Sequence, residues 1–267
     1  MDSNQKQKVV FTGGGTGGHV FPNQPLIEHY KKNYDIVYFG TRRGMERDIV
    51  LPWGVQYVTI TSGKLRRYFD FKNIIDILKV IFGIFEALYK LTKIKPLFIF
   101  SKGGFVTVPV VIAGRLLSIP VYIHEADMTP GLANRIAMKF ATHLFLTFPP
   151  KSEPKISYTV SGLPLRSDIY KADSARGKTF LGLTSQKPVL LQIGGSLGAS
   201  SLNTLLRDSL DELLPTFEVV HITGKGKANL HIDKQGYTQR EFVGVEIFDC
   251  IKAADVVVSR AGAGSVM

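Results

Sequence analysis

Two stretches lying 180 residues apart, VVFTGGGTGGHVFPN at 9–23 and VLLQIGGSLGASSLN at 189–203, constrain this chain more than any other feature. Superimposed, they pair Gly14 with Gly194, Gly15 with Gly195, Thr16 with Ser196, Gly18 with Gly198 and Asn23 with Asn203. Each starts as an apolar run, passes through a glycine turn and continues into a helical segment, the opening of a Rossmann unit. A sequence with two such openings is expected to fold as two Rossmann-like halves.

The remaining pattern agrees. Short β-branched or aromatic runs at 8–12, 35–39, 56–60, 96–101, 119–123 and 143–148 alternate with helical patterns near 20–32, 74–91, 105–117 and 130–140. That alternation predicts a parallel sheet with helices on both faces. A loop, FPPKSEPKIS at 148–157, leads into YTVSGLPLR, and the boundary is expected near Pro164, giving domains of 1–164 and 165–267. Beyond it strands are expected near 187–193, 217–222, 240–243 and 255–259, with helices near 200–213 and 246–253.

Composition narrows the class. With 45% hydrophobic and 21% charged residues the chain has the balance of a folded globular protein. One cysteine, Cys250, permits no internal disulfide, and the six histidines show no metal-ligand spacing. The polar stub before Val9 lacks the series of a signal peptide. The strongest apolar stretch, 74–91, is interrupted by Asp76, Lys79, Glu86 and Lys90 and does not predict a membrane span. A cytoplasmic protein is expected. The net charge of +11 favours an anionic partner. Without zinc-finger spacing, an RNP-type strand or a basic-region heptad, nucleic acid is not the expected one.

Four glycine turns, GGGTGGH at 13, SKGGFVT at 101, GGSLGAS at 194 and SRAGAGS at 259, could cradle anions at the carboxyl ends of strands. By its letters, Gly13-x-Gly15-x-x-Gly18 is a dinucleotide fingerprint. That reading needs an acid about 20 positions on, at the end of the second strand, to hold a ribose. Here that strand ends in Gly40-Thr41-Arg42-Arg43, which disfavours NAD and leaves NADP as a runner-up through the two arginines. No GxxxxGK[ST] occurs, so the loop is not a P-loop.

Seven motifs in order, GGGTGGHVFP at 13–22, SKGGFVTVP at 101–109, IPVYIHEADMTPGLANR at 119–135, SGLPLR at 161–166, GGSLGA at 194–199, HITGK at 221–225 and DVVVSRAGAGS at 255–265, resemble the MurG family. These are bacterial transferases that add N-acetylglucosamine to lipid-linked muramyl pentapeptide in peptidoglycan synthesis. The resemblance spans essentially the whole chain. It implies an α/β fold of the GT-B type, two Rossmann-like domains with a cleft between them. It also implies UDP-N-acetylglucosamine as donor, held mostly by the C-terminal half, with no cofactor required. The acceptor would be lipid I and the product lipid II, formed with inversion. The family works at the cytoplasmic face of the cell membrane, on its anionic inner leaflet and without crossing it, and cell-wall synthesis or division proteins are possible partners.

The candidate site residues follow from both lines. The first loop offers Thr16, Gly17 and Gly18 to an anion, and His19 follows as the leading candidate base or acceptor-orienting group. Gly103 and Gly104 form the second loop. His124, Glu125 and Asp127 follow the strand at 119–123, with Glu125 and Asp127 as further catalytic candidates or Asp127 as a helix cap. The family commonly has glutamine and asparagine where Ala126 and Asp127 stand, so a sugar-binding role does not transfer directly. Gly195 and Ser196 match the family's donor-phosphate contacts, Arg166 an arginine near the same diphosphate, and Val243 an apolar residue near the uracil. Asparagine is frequent in the family where Leu163 stands. No Asp-x-Asp occurs, which leaves charge neutralisation to helix N-termini and basic side chains, Arg166 and Arg260 foremost.

The helical pattern at 71–90 carries an apolar stripe, Ile74, Ile77, Leu78, Ile81, Phe82, Phe85 and Leu88, expected to face the core. Ile75, Val80 and Ile84, with Lys64, Arg66, Arg67, Lys72 and Lys79, are expected to form a basic and apolar surface for an anionic bilayer. In the family a ribose-gripping glutamate and a returning helix come after the position matching Met267. The second domain is therefore expected to be incomplete and the chain poorly active. A GT-B enzyme with another lipid acceptor, or a non-catalytic nucleotide-binding remnant, are the alternatives.

Overall fold

The computed structural model describes residues 6–64, 72–195, 198–260 and 262, without the side chains of 72 and 73. The chain divides into two compact units, Met1–Arg166 and Ser167–Met267.

The first unit holds seven parallel strands: β1 (Lys8–Thr12), β2 (Asp35–Thr41), β3 (Gln56–Ile60), β4 (Ile99–Ser101), β5 (Val121–Glu125), β6 (His143–Leu146) and β7 (Tyr158–Val160). They lie in the order β3-β2-β1-β4-β5-β6-β7. Its helices are α1 (Gly17–Val20), α2 (Asn23–Tyr30), α3 (Met45–Val50), α4 (Lys72–Ile94), α5 (Val108–Leu116) and α6 (Leu132–Met138). Central parallel strands are covered on both faces and so read as nearly continuous apolar runs. Alternate side chains separate into two cores. Val10, Val37, Phe39 and Ile99 pack with Ala87 and Leu91 of α4 and Val110 and Val111 of α5. Phe11, Ile36, Tyr38 and Phe100 pack with Ile27 of α2 and Val50 of α3.

The second unit repeats the plan. Strands β8 (Val189–Ile193), β9 (Glu218–Ile222), β10 (Tyr237–Arg240) and β11 (Val256–Ser259) are parallel in the order β10-β9-β8-β11, with helices α7 (Ser174–Leu181), α8 (Ser200–Asp208), α9 (Leu210–Leu213) and α10 (Ile247–Ala253).

Several boundaries differ from the sequence reading. The single helix expected at 20–32 is two, because Pro22, with φ −66°, opens a second turn of chain as the cap of α2. The helix expected at 200–213 likewise divides at Ser209. The strand expected at 240–243 lies at Tyr237–Arg240, and Val243 drops into the apolar core with Leu181, Leu191 and Cys250.

α4 is turned relative to expectation. Its buried side is Asp76, Val80, Gly83, Ala87 and Leu91. Most of the stripe expected inside lies outside: Ile74, Ile77, Leu78, Ile81, Phe82 and Phe85 are exposed, as is Ile75, whereas Leu88 packs against the core and Val80, expected on the outer surface, is buried. The reason is close backbone packing. A Cβ on Gly83 would sit 2.0 Å from the Thr61 carbonyl oxygen, and one on Gly63 would sit 2.0 Å from that of Asp76. Glu86 then accepts a hydrogen bond from Thr61 N–H at 2.6 Å, and Lys90 donates to the Thr59 carbonyl at 2.5 Å. Two of the polar residues that interrupt the stretch, Glu86 and Lys90, thus hold the helix to the end of β3, while Lys79 pairs with Asp76 on the helix itself.

Candidate active site

In an open parallel sheet, ligands bind beyond the carboxyl ends of strands where the strand order reverses. In the first unit that point lies between β1 and β4, and in the second between β8 and β11. The four glycine turns leave these four strands, so the structure groups them in pairs, one pair per unit.

In the first unit the pair is locked together. Gly14 N–H donates to the Gly103 carbonyl at 3.3 Å, and Lys102 N–H donates to the Thr12 carbonyl at 2.9 Å. Gly104 has φ +87°, and a Cβ there would fall 2.1 Å from the Gly14 carbonyl oxygen and 3.0 Å from His19 Nδ1. Only glycine allows the second loop to lie against the first. Thr16 and Gly18 are exposed while Gly17 is buried. Gly15 N–H points to Glu46 Oε2 at 3.4 Å, and Glu46 also accepts from Thr41 N–H at 2.9 Å, which ties the loop to the end of β2.

His19 is the third residue of α1 and partly buried, its Nδ1 3.1 Å from Thr16 Oγ1. Burial, and secondarily the charge of Lys102, push its pKa below the ordinary histidine value. It is therefore a neutral imidazole near pH 7, the form that accepts a proton.

Beyond β5 the two carboxylates have different settings. Glu125 is buried and accepts from Asp127 N–H at 2.9 Å and from Asn134 Nδ2 at 2.8 Å. It braces the turn from β5 into α6. Asp127 is exposed. It does not cap α6, whose first turn begins at Leu132 with Gly131 at the cap, so the capping role expected for it is corrected. His124 donates through Nε2 to the Gly162 carbonyl at 2.8 Å, fastening the SGLPLR segment to β5. Burial pushes its pKa down to about 4.

The sequence reading did not single out Lys102 or Asn134. Lys102 is fully buried, and burial pushes its ammonium down to about 8 against the pull of Glu125 and Asp127. In the sequence it is only a lysine between a strand and two glycines, and its burial appears first in the structure.

In the second unit a Cβ on Gly195, at φ +82°, would lie 3.2 Å from Arg260 Nη2, so the third and fourth turns also meet. The Arg260 side chain is exposed; Arg166, the last residue of the first unit, is partly buried. Ser196 lies outside the described residues. Val243 is buried in the core, so its side chain is not presented to a ligand as the sequence reading expected.

The two halves share one more device. Asn23 on α2 donates to Tyr38 OH at 3.1 Å, and Tyr38 on β2 donates to the Gly13 carbonyl at 2.9 Å and stacks on Tyr57 of β3. Asn203 on α8 accepts from His221 Nε2 at 3.0 Å and donates to the Thr223 carbonyl at 2.7 Å, while His221 on β9 meets Tyr237 of β10 at 2.7 Å. Each asparagine pins its glycine-turn helix to the second strand.

Comparison with known proteins assigns both units. Residues 9–146 match the glycosyltransferase family 28 N-terminal domain, and residues 189–267 match its C-terminal domain. A Bacillus cereus protein named UDP-N-acetylglucosamine–N-acetylmuramyl-(pentapeptide) pyrophosphoryl-undecaprenol N-acetylglucosamine transferase 2 is 46% identical over 97% of this chain and 75% of its own length. A Clostridium tetani transferase of the same name, without the numeral, is 44% identical over 98% of this chain and 74% of its own. Among solved structures, Acinetobacter baumannii MurG superposes with a TM-score of 0.69 at 24% identity, covering 98% of this chain and 74% of that one. A Neisseria meningitidis UDP-GlcNAc 2-epimerase bound to UDP-GlcNAc gives 0.64 at 14% identity, covering 96% and 77%. The fold is that of the GT-B enzymes, and the chain belongs to glycosyltransferase family 28, in its MurG branch.

Proposed function

We propose that this chain transfers N-acetylglucosamine from UDP-N-acetylglucosamine to undecaprenyl-pyrophosphoryl-N-acetylmuramyl pentapeptide, converting lipid I to lipid II. The observation that carries the reading is the pairing of glycine turns at both topological switch points, in a chain 46% identical to a transferase of that name. Backbone N–H groups at such turns suit two anionic diphosphates, one on the donor and one on the acceptor. The second strand itself ends without an acid, and Glu46, which folds back to its end, is buried and engaged by Gly15 and Thr41, which argues against a nicotinamide dinucleotide.

In the reaction we propose, the acceptor hydroxyl oxygen attacks the anomeric carbon, and the bond from that carbon to the donor phosphate oxygen breaks. UDP leaves with the bonding electrons, and the configuration inverts in one displacement. Neutral His19 takes the hydroxyl proton, supported by the lowered basicity that keeps it unprotonated near pH 7. Thr16, Gly17, Gly18, Gly103 and Gly104 serve the acceptor side, with Asp127 orienting the sugar and Glu125 bracing it. Gly195, Ser196, Arg166 and Arg260 serve the donor.

The exposed side of α4 is the surface we assign to the membrane. No helix among the described residues is long and apolar enough to cross a bilayer. Large apolar side chains nevertheless cover the outer face of α4; Lys79 on the same helix is exposed and paired with Asp76 at 3.2 Å, and Lys64 is exposed on the loop after β3. Arg66, Arg67 and the Lys72 side chain lie outside the described residues.

Calorimetry separates the classes of function. UDP and UDP-N-acetylglucosamine should bind and NADPH should not; NADPH binding without UDP binding overturns the proposal. Turnover with the lipid acceptor should fall at least about 100-fold in His19→Ala, and full turnover in that variant removes His19 from the chemistry.

A further inference from the structure

We propose that Glu46 is a positioning residue for the acceptor side: its buried carboxylate holds the first glycine turn at Gly15 and so fixes the stretch from Thr16 to His19. The proposal rests on the reading of that turn as the acceptor's.

Glu46 is the second residue of α3 and 1% exposed. Among the described residues no lysine or arginine pairs with it, so its carboxylate is buried on hydrogen bonds alone. Glutamate is among the residues least often buried, and a buried polar group persists where its bonds are made. Oε1 accepts from Thr41 N–H at 2.9 Å and from Thr41 Oγ1 at 2.5 Å, and Oε2 accepts from Gly15 N–H at 3.4 Å. Tyr57 of β3 fixes Thr41 in turn, donating to its carbonyl at 2.9 Å. The backbone makes room for the carboxylate. A Cβ on Gly14 would fall 2.9 Å from Glu46 Cδ, one on Gly40 3.0 Å from Cγ and one on Gly44 2.1 Å from Oε1. Three glycines, two of them outside the four glycine turns, are thus accounted for by one side chain.

The contact reaches the site through the main chain. Gly14 is held by Gly103, and Gly15, at φ +84°, by Glu46. Thr16 follows directly, its Oγ1 3.1 Å from His19 Nδ1 and its carbonyl accepting from His19 N–H at 3.1 Å. Glu46 itself is sealed from a ligand, so its effect on one passes through this turn. Both oxygens are needed, and not only the shape. Each faces a backbone N–H, whereas glutamine has one oxygen and one NH2 group and must set N–H against N–H at either Thr41 or Gly15.

In Glu46→Gln the affinity for lipid I in detergent micelles should fall about 10-fold, the contribution of one hydrogen bond to a charged group. The affinity for UDP, measured by calorimetry on the same preparation, should stay within about 2-fold, because the turns assigned to the donor lie in the other unit. General damage to the fold would weaken both ligands together. Loss of neither affinity in the folded variant, or equal loss of both, overturns the proposal. Loss for UDP alone supports the hold of Glu46 on the turn and defeats instead the reading of that turn as the acceptor's. Parent protein that binds UDP and no lipid I defeats the functional reading, and the proposal with it. Should Glu46→Gln fail to fold, Glu46→Asp carries the same comparison, since it keeps the charge and withdraws the carboxylate from Gly15 by one methylene.

Discussion

At the scale of single residues, the site depends on positions where a side chain is excluded as much as on those where one is required. Gly104 combines φ +87° with a Cβ position 2.1 Å from backbone. Neither strain can be relieved by a rotamer change. Gly104→Ala should lower stability by at least about 2 kcal/mol in urea titration and displace His19, so that turnover falls further than stability alone accounts for. Gly131 is the control. It is also a loop glycine of the proposed acceptor side, but with φ −65° and nothing within 4 Å of an added Cβ. Its alanine variant should lose no more than about 1 kcal/mol, the ordinary cost of a poorer N-cap. Equal losses at the two positions would show that the contact between the loops does not hold the site. The glycines were legible in the sequence because left-handed turns leave few alternatives. Lys102 and Asn134 were not, because a lone lysine or asparagine in a string of letters carries no sign of burial.

At the scale of elements, α4 shows what periodicity can and cannot decide. Spacing identifies which residues share a face. It does not identify which face meets the protein, and α4 has apolar residues on nearly all sides. The deciding signals are the small residues Gly83 and Ala87, which permit close approach, and the hydrogen bonds that Glu86 and Lys90 make to β3 and its exit. The consequence separates binding from folding. Phe82 is 59% and Phe85 65% exposed. Replacing both by serine should leave the melting temperature within a few degrees of the parent while reducing co-sedimentation with phosphatidylglycerol vesicles several-fold. Leu91, fully buried on the opposite side, should behave in reverse: Leu91→Ala should cost about 2 to 5 kcal/mol and leave vesicle binding by the folded fraction intact. Loss of stability without loss of vesicle binding in the double serine variant would return the stripe to the core.

At the scale of the whole molecule, the two units are variations on one plan, and the repeat seen between 9–23 and 189–203 marks the part of that plan that a sequence can show. The paired asparagines were visible. Their partners were not, because Tyr38 and His221 lie on the second strands, where a ring of different chemistry fills an equivalent place and no letter is shared. The structure turns the pair into a test of independence. Asn203→Ala removes the acceptor for His221 Nε2 and the donor to the Thr223 carbonyl, both buried. Unsatisfied buried groups of this kind cost about 1 to 3 kcal/mol each. Asn23→Ala leaves Tyr38 its bond to the Gly13 carbonyl and should cost less. With separate cores, each loss should stay in its own unit. Hydrogen exchange should accelerate across the strands of Ser167–Met267 in Asn203→Ala and across those of Met1–Arg166 in Asn23→Ala. Acceleration spread evenly over both units by either substitution would mean that the halves fold as one cooperative body, and that the repeat records ancestry without separate stability.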